Sequence, residues 1–195
     1  MHIILGSTSP RREEILNFFS IPFTKVPSQF DEDSIIFDDN PAKYVETLAL
    51  KKAEALSTQY ANSPILTADT TVYCEGKIYN KPKDKKEAIQ FLQELSGKWH
   101  SVFTGCALFF QNKTETCSEE TRIRFREVSE LQIEKYLECI NFLDKAGAYA
   151  IQQSGSVLVE KIEGSYYNVM ELPLLPLERL LKTINIDIWN HLKIL

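Results

Sequence analysis

The sequence predicts an α/β fold, a mixed central β-sheet flanked by helices, and three observations carry that expectation. Strand-like and helix-like segments alternate along the chain with no internal repeat or low-complexity tract. Cap residues followed by proline or spaced acids mark the helix starts. Two long strand-like runs, 102–110 and 120–126, form a hairpin and so bring antiparallel pairing into the sheet. The length of 195 residues suits one domain over 1–195, with room for two lobes and no linker that divides it.

Each element follows from local signals. His2 to Leu5 is a short apolar run ended by Gly6, a first strand. Ser9 and Pro10 read as N-cap and first helical position of a helix to about Phe19. A strand near Phe23 to Val26 leads into the acidic loop QFDEDSIIFDD, and Asn40-Pro41 opens a longer helix to about Tyr60. Ile65 to Tyr73 is a strand that turns around Glu75-Gly76-Lys77. Asp84 and Glu87 have capping-box spacing before a helix with Ala88, Ile89, Phe91, Leu92 and Leu95 inward, stopped by Gly97. After the hairpin, Ser129 caps a helix through Cys139, and the loop DKAGAYAIQ precedes a strand over Ser156 to Ile162. A Leu-rich helix, roughly Leu174 to Ile184, and a tail close the chain.

Composition narrows the function. Apolar residues make up 44% and charged residues 25%, the mix of a soluble globular protein. A formal net charge of −5 argues against a nucleic-acid backbone as partner, so any anion must be met by locally gathered basic groups. The four cysteines and three histidines are scattered, with no CxxC pair, which speaks against a zinc site and for free thiols in a reducing compartment. The opening MHIILGSTSPRR is too short an apolar stretch for a signal peptide, and no segment has the length of a membrane span. The expectation is a cytoplasmic protein without membrane or nucleic-acid partners.

The informative signal is charge on faces that should be apolar. In the helix from Pro41, Val45, Leu48, Ala49, Ala53 and Leu56 draw a stripe, and at about 100° per residue Lys52 falls in its middle while Lys51 falls to the side. A lysine there must snorkel, lose its proton or meet an anion. Arg12 shares a face with Ile15, Leu16 and Phe19, and both Arg11 and Arg12 sit in a first helical turn, where the dipole disfavours cations. A bound polyanion would explain them, with the Ser7 and Thr8 hydroxyls as further donors. Asp69 interrupts the strand ILTADTTVY as a strand-end cap or a ligand for a hard cation, and Lys81 follows in the extended NKPKD. Four cations and a strand carboxylate suggest magnesium-assisted chemistry at a polyphosphate. Residue patterns name an anion and stop short of a reaction.

The motifs GSTSPRREEIL, LALKKAEAL, TADTTV, NKPKD, LSGKWHSVFTG and DKAGAYAIQ with IEGSYYNVMELPL resemble the Maf family in order and spacing, from Ile3 to about Leu181. The resemblance implies a nucleotide pyrophosphatase related in fold to inosine-triphosphate pyrophosphatases, with two lobes around a cleft and a homodimer as a common state. It implies that Ser7, Arg11 and Arg12 bind phosphate, that Lys52, Asp69, Lys81 and Gln152 carry catalysis, and that Asp69 and Glu32 hold a divalent cation, magnesium or manganese. Asp69-Thr70, Pro10-Arg11-Arg12 and Asp144-Lys145-Ala146-Gly147 place the chain with the branch that resembles dTTP/UTP pyrophosphatases. The rival branch, with SDQ and SPWRR signatures, acts on 7-methyl-GTP; a rival of another class is a nucleotide-binding regulator of cell division or septum formation. Two departures stand out: Asn80 and Glu171 replace glycines of the family pattern. Asn80 would tolerate a positive φ, and Glu171 brings a negative charge into the site segment.

Overall fold

Side-chain caps start the helices where the sequence places them. In this computed structural model, which describes residues 1–193, Ser9 Oγ accepts from the Arg12 N–H at 3.5 Å ahead of helix α1 (Pro10–Leu16). Asn40 Oδ1 accepts from the Lys43 N–H at 3.0 Å ahead of α2 (Pro41–Ser57). Each proline sits where its missing N–H costs nothing. Asp84 Oδ1 accepts from the Glu87 N–H at 2.8 Å to start α3 (Lys85–Leu95), while Glu87 reaches one residue beyond the cap, accepting from the Lys83 N–H at 2.6 Å. Ser129 and Gln132 form the full reciprocal box that starts α4 (Glu130–Glu138). The first helix ends three residues before the expected Phe19, because the Phe18 and Phe19 N–H groups bond back three residues, to Ile15 and Leu16, and tighten the last turn.

The strands are β1 (Ile3–Gly6), β2 (Phe23–Val26), β3 (Ile65–Cys74), β4 (Lys77–Tyr79), β5 (Trp99–Phe110), β6 (Lys113–Phe125) and β7 (Val159–Glu163). Hydrogen-bonded order is β2-β1-β3-β5-β6-β7, with β4 on β3. β1 pairs parallel with β2 and β3, whereas β3–β4 and β6–β7 are antiparallel, so the mixed sheet expected from the hairpin is present. The β5–β6 turn has Gln111 and Asn112 both at positive φ (51° and 60°), the geometry that matches the twist of a two-residue hairpin. β6 begins seven residues before the expected Glu120. Only Cys117 is buried among Lys113–Glu119, so that half of the strand lacks the apolar beat that marks a strand. The expected strand from Ser156 starts instead at Val159, because a 3-10 turn over Gln153–Leu158 is fixed by Gly155 N–H to Gln152 O (3.0 Å) and Ser156 Oγ to Gln153 O (2.8 Å). Short helix α5 (Tyr166–Val169) and α6 (Leu174–Lys182) complete the order. No helix among the described residues is long and apolar enough to cross a membrane.

The chain resolves into two compact units. The first holds 1–69, 104–119 and the chain from Glu171 onward. Its core packs Ile4 and Ile65 of the parallel strands against Ala49, Ala53 and Leu56 of α2, with Ala107 of β5. Gly105 lets β5 and α2 meet backbone to backbone: a Cβ there would lie 2.4 Å from the Val45 carbonyl carbon and 2.5 Å from the Glu46 nitrogen. That contact fixes the height of α2, and with it Lys52.

The second unit holds 70–103 and 120–170. Its centre is an aromatic trio of His100, Phe125 and Tyr149, all edge to face with ring centroids 4.6 to 5.5 Å apart. Helices α3 and α4 pack together, and Tyr79 meets Phe91 edge to face at 5.1 Å.

Candidate functional site

Lys52 stands where helical spacing puts it, in the middle of the buried face of α2 between Ala49 and Ala53. It is 4% exposed, so its ammonium needs a partner. It has two. Nζ donates to Asp69 Oδ1 at 2.5 Å and lies 2.8 Å from Glu32 Oε1. Alternation along β3 explains the meeting. Ile65 packs against the α2 alanines, Thr67 Oγ1 donates to the Ala49 carbonyl at 2.6 Å, and Asp69 is the next residue on that face. Asp69 lies inside the strand, not at its end, so the strand-end cap is set aside. Glu32 arrives from the acidic loop, in a 3-10 turn (Glu32–Ser34) capped by Asp31, and remains half exposed.

Burial lifts the Asp69 carboxyl above the ordinary carboxylate range. The Lys52 charge opposes that lift, the Glu32 charge adds to it, and Arg12 opposes it more weakly. Arg12 therefore reaches the same charge cluster electrostatically.

Arg12 is itself buried, at 7% exposure. Its Nε donates to the Glu171 carbonyl at 2.9 Å and its terminal nitrogen to Ser7 Oγ at 3.2 Å. Ser7 Oγ also accepts from the Ser9 N–H at 3.1 Å, which holds the turn between β1 and α1. Arg11 is ion-paired with the Glu171 carboxylate, and Ser9 Oγ donates to the other oxygen of that carboxylate at 2.7 Å. Both buried cations have structural partners, Lys52 in Asp69 and Arg12 in the Glu171 carbonyl. Their substitution therefore affects the fold as well as the site.

Ser7, Arg11, Arg12, Glu32, Lys52 and Asp69 thus belong to one unit. Lys81 and Gln152 belong to the other. Lys81 is exposed on the extended segment after β4, and that segment is tied to the glycine loop by Gly147 N–H to Asn80 O at 3.2 Å. Gln152 precedes the 3-10 turn at 153. Asn80 is not among the positive-φ residues; its Oδ1 accepts from Thr71 Oγ1 at 2.7 Å instead. Glu171 is the departure that takes the glycine conformation, at φ 77°. Sequence reasoning missed two participants, Ser9, which it read only as a cap, and the pairing of Glu171 with the arginines. The shared glycine position was the available signal for Glu171.

Asp69 and Glu32 converge on one point, since both lie within hydrogen-bond reach of the same nitrogen. Among the described residues no three His, Cys, Asp or Glu side chains cluster as a metal cage. Two carboxylate oxygens without a cage are a donor set suited to magnesium, which takes one or two carboxylates and completes its shell with phosphate and water. The residues fit that ion.

Known proteins resemble this chain along most of its length. The family model described as Maf-like protein matches residues 2–184. A Chlamydia caviae protein named dTTP/UTP pyrophosphatase is 41% identical over 191 residues, 97% of each chain. An Acholeplasma laidlawii protein of the same name is 43% identical over 184 residues, covering 94% of this chain and 97% of that one. A Chlamydia muridarum relative, 38% identical over 97% of each chain, is named nucleoside triphosphate pyrophosphatase. With the SPRR arginines, the helix lysine and the strand aspartate gathered in one unit, and the family pattern matched from residue 2 to 184, this chain belongs to the Maf-like family.

Proposed function

We propose that this chain is a nucleoside triphosphate pyrophosphatase that hydrolyses dTTP and UTP to the monophosphate and pyrophosphate. The observation that carries the reading is the convergence of Lys52, Asp69 and Glu32, with Arg12 within electrostatic reach of Asp69. The names of the relatives, dTTP/UTP pyrophosphatase, supply the substrate class.

The chemical difficulty is electrostatic, because an anionic phosphate repels the nucleophile and the leaving group gathers charge. In this reading Ser7, Arg11 and Arg12 bind phosphate oxygens, and Lys52 offsets the charge that develops in the transition state. Asp69 accepts a proton from the attacking water as the new O–P bond forms at the α-phosphorus. The bond to the bridging oxygen breaks, and its electron pair leaves with pyrophosphate. A divalent cation, magnesium or manganese, would be held by Asp69 and Glu32 and would polarise the phosphate oxygens. Lys81 and Gln152 carry their catalytic roles from the motif resemblance alone. Four free thiols, three of them buried, support a reducing cytoplasmic setting.

The test is a panel of canonical and modified nucleoside triphosphates with magnesium, reading pyrophosphate and orthophosphate separately. Preferred release of pyrophosphate from dTTP and UTP is expected. Orthophosphate as product, or a clear preference for 7-methyl-GTP, would overturn the assignment.

A further inference from the structure

Glu171 is a buried acid on a backbone that favours glycine, and its carboxylate rests on the arginine to which we assign substrate phosphate. At φ 77° a residue with a Cβ is strained, so the position is costly for glutamate. Glu171 is only 9% exposed, and its two carboxylate oxygens are taken by the Arg11 guanidinium and by Ser9 Oγ. A planar carboxylate held by a guanidinium and a hydroxyl occupies the donors that a phosphate oxygen would use. Its main chain has a separate task, accepting from Arg12 Nε, which any residue at 171 retains.

We propose that the Glu171 carboxylate is an internal competitor for the phosphate site of Arg11 and Ser9, displaced when the triphosphate binds and restored when pyrophosphate leaves. Two effects follow from one charge. Substrate must break the carboxylate's bonds to Arg11 and Ser9 before taking their donors. Once displaced, the carboxylate remains near the phosphate and repels it. Both weaken anion binding and both favour release of an anionic product. Glu171 is thus a residue that sets affinity through Arg11 and takes no part in the bond changes. The inference rests on the proposed function, in that Arg11 is taken as a phosphate ligand.

The experiment measures affinity for inorganic tripolyphosphate by calorimetry, without turnover, in the full chain and in E171Q, E171G, R11A and R11A/E171Q. Glutamine keeps the size of the side chain and removes the charge; glycine removes the side chain and the left-handed strain, so one variant stands if the other folds poorly. We expect E171Q and E171G each to bind tripolyphosphate at least tenfold more tightly than the parent protein, and R11A/E171Q to lose that gain. With dTTP, KM should fall by a similar factor while kcat does not rise. Unchanged or weaker binding in both Glu171 variants, with R11A still weakening the parent, would overturn the competitor and leave the phosphate site standing. Tripolyphosphate affinity unaffected by R11A would overturn both.

Discussion

Lys52 Nζ stands 2.5 Å from Asp69 Oδ1, joining the buried stripe of a helix to the interior of a parallel strand. Neither charge is tolerable there alone. Together they form a buried pair whose worth to stability is small or negative against an apolar replacement. The same ammonium also lies 2.8 Å from Glu32 Oε1, so two carboxylates share one buried cation.

Asp69→Asn tests the chemical half of that pair. Asparagine keeps the shape and an oxygen that accepts from Lys52, but it loses the charge that accepts a proton or holds a cation. Turnover of dTTP at saturating magnesium should fall by orders of magnitude. Circular dichroism and thermal melting should show a folded protein, and calorimetry should show nucleotide still bound. Near-normal turnover would pass the role of base to another acid, with Glu32 first in line.

Lys52→Met tests the structural half. Methionine suits the stripe, yet it strands the Asp69 carboxylate in the core, at a cost of about 3 kcal/mol. The double variant Lys52→Met/Asp69→Asn should cost less than the sum of the two, because the second change removes the stranded charge. Urea melts of the four proteins measure the coupling. Strict additivity would show that the pair does not interact in solution.

What the sequence made legible, and what it hid, divides along the same lines. Lys52, Arg12 and Asp69 broke a local period, and a charge on an apolar stripe can be found without knowing the fold. The caps at Ser9, Asn40 and Ser129 were equally local and appear as read. The ion pair between Arg11 and Glu171 spans 160 residues and follows no period, so no local pattern could announce it. The first half of β6 was hidden because its polar, half-exposed residues carry no apolar beat. The pairing of Lys52 with Glu32 depended on where an irregular acidic loop returns, which spacing does not encode.

Gly105→Ala tests how α2 is seated. The added methyl would meet main-chain atoms of Val45 and Glu46 at 2.4 to 2.5 Å, and backbone cannot turn aside as a side-chain tip can. Either α2 or β5 must move. A loss of about 3 kcal/mol is expected, the upper range for overpacking. Activity should drop beyond the loss of folded protein, since the helix carries Lys52. A full-activity variant with an unchanged melt would show that the two elements are not in contact at Gly105.

His100 gives the protein an acid-sensitive core. The ring is 3% exposed, packed edge to face against Phe125 and Tyr149, with Nε2 in a 3.0 Å hydrogen bond to the Tyr149 hydroxyl and Nδ1 lacking a partner among the described residues. Burial pushes its pKa down to about 3 from an ordinary 6.5. The sign is set by proton counting: below 6.5 the unfolded chain binds a proton that the folded chain refuses until about 3. The unfolded state therefore holds more protons across that window, and stability falls as pH falls through it. From pH 7 to pH 5 this one residue should remove roughly 2 kcal/mol. His100→Gln abolishes the titration and leaves the Tyr149 hydroxyl a polar partner. Urea melts at pH 7 and pH 5 should show a clearly smaller pH-dependent loss in the variant than in the parent, although the variant is less stable at pH 7 from poorer packing. Parallel losses in the two proteins would mean that the ring charges in the folded state, through water or a partner that the buried trio does not provide.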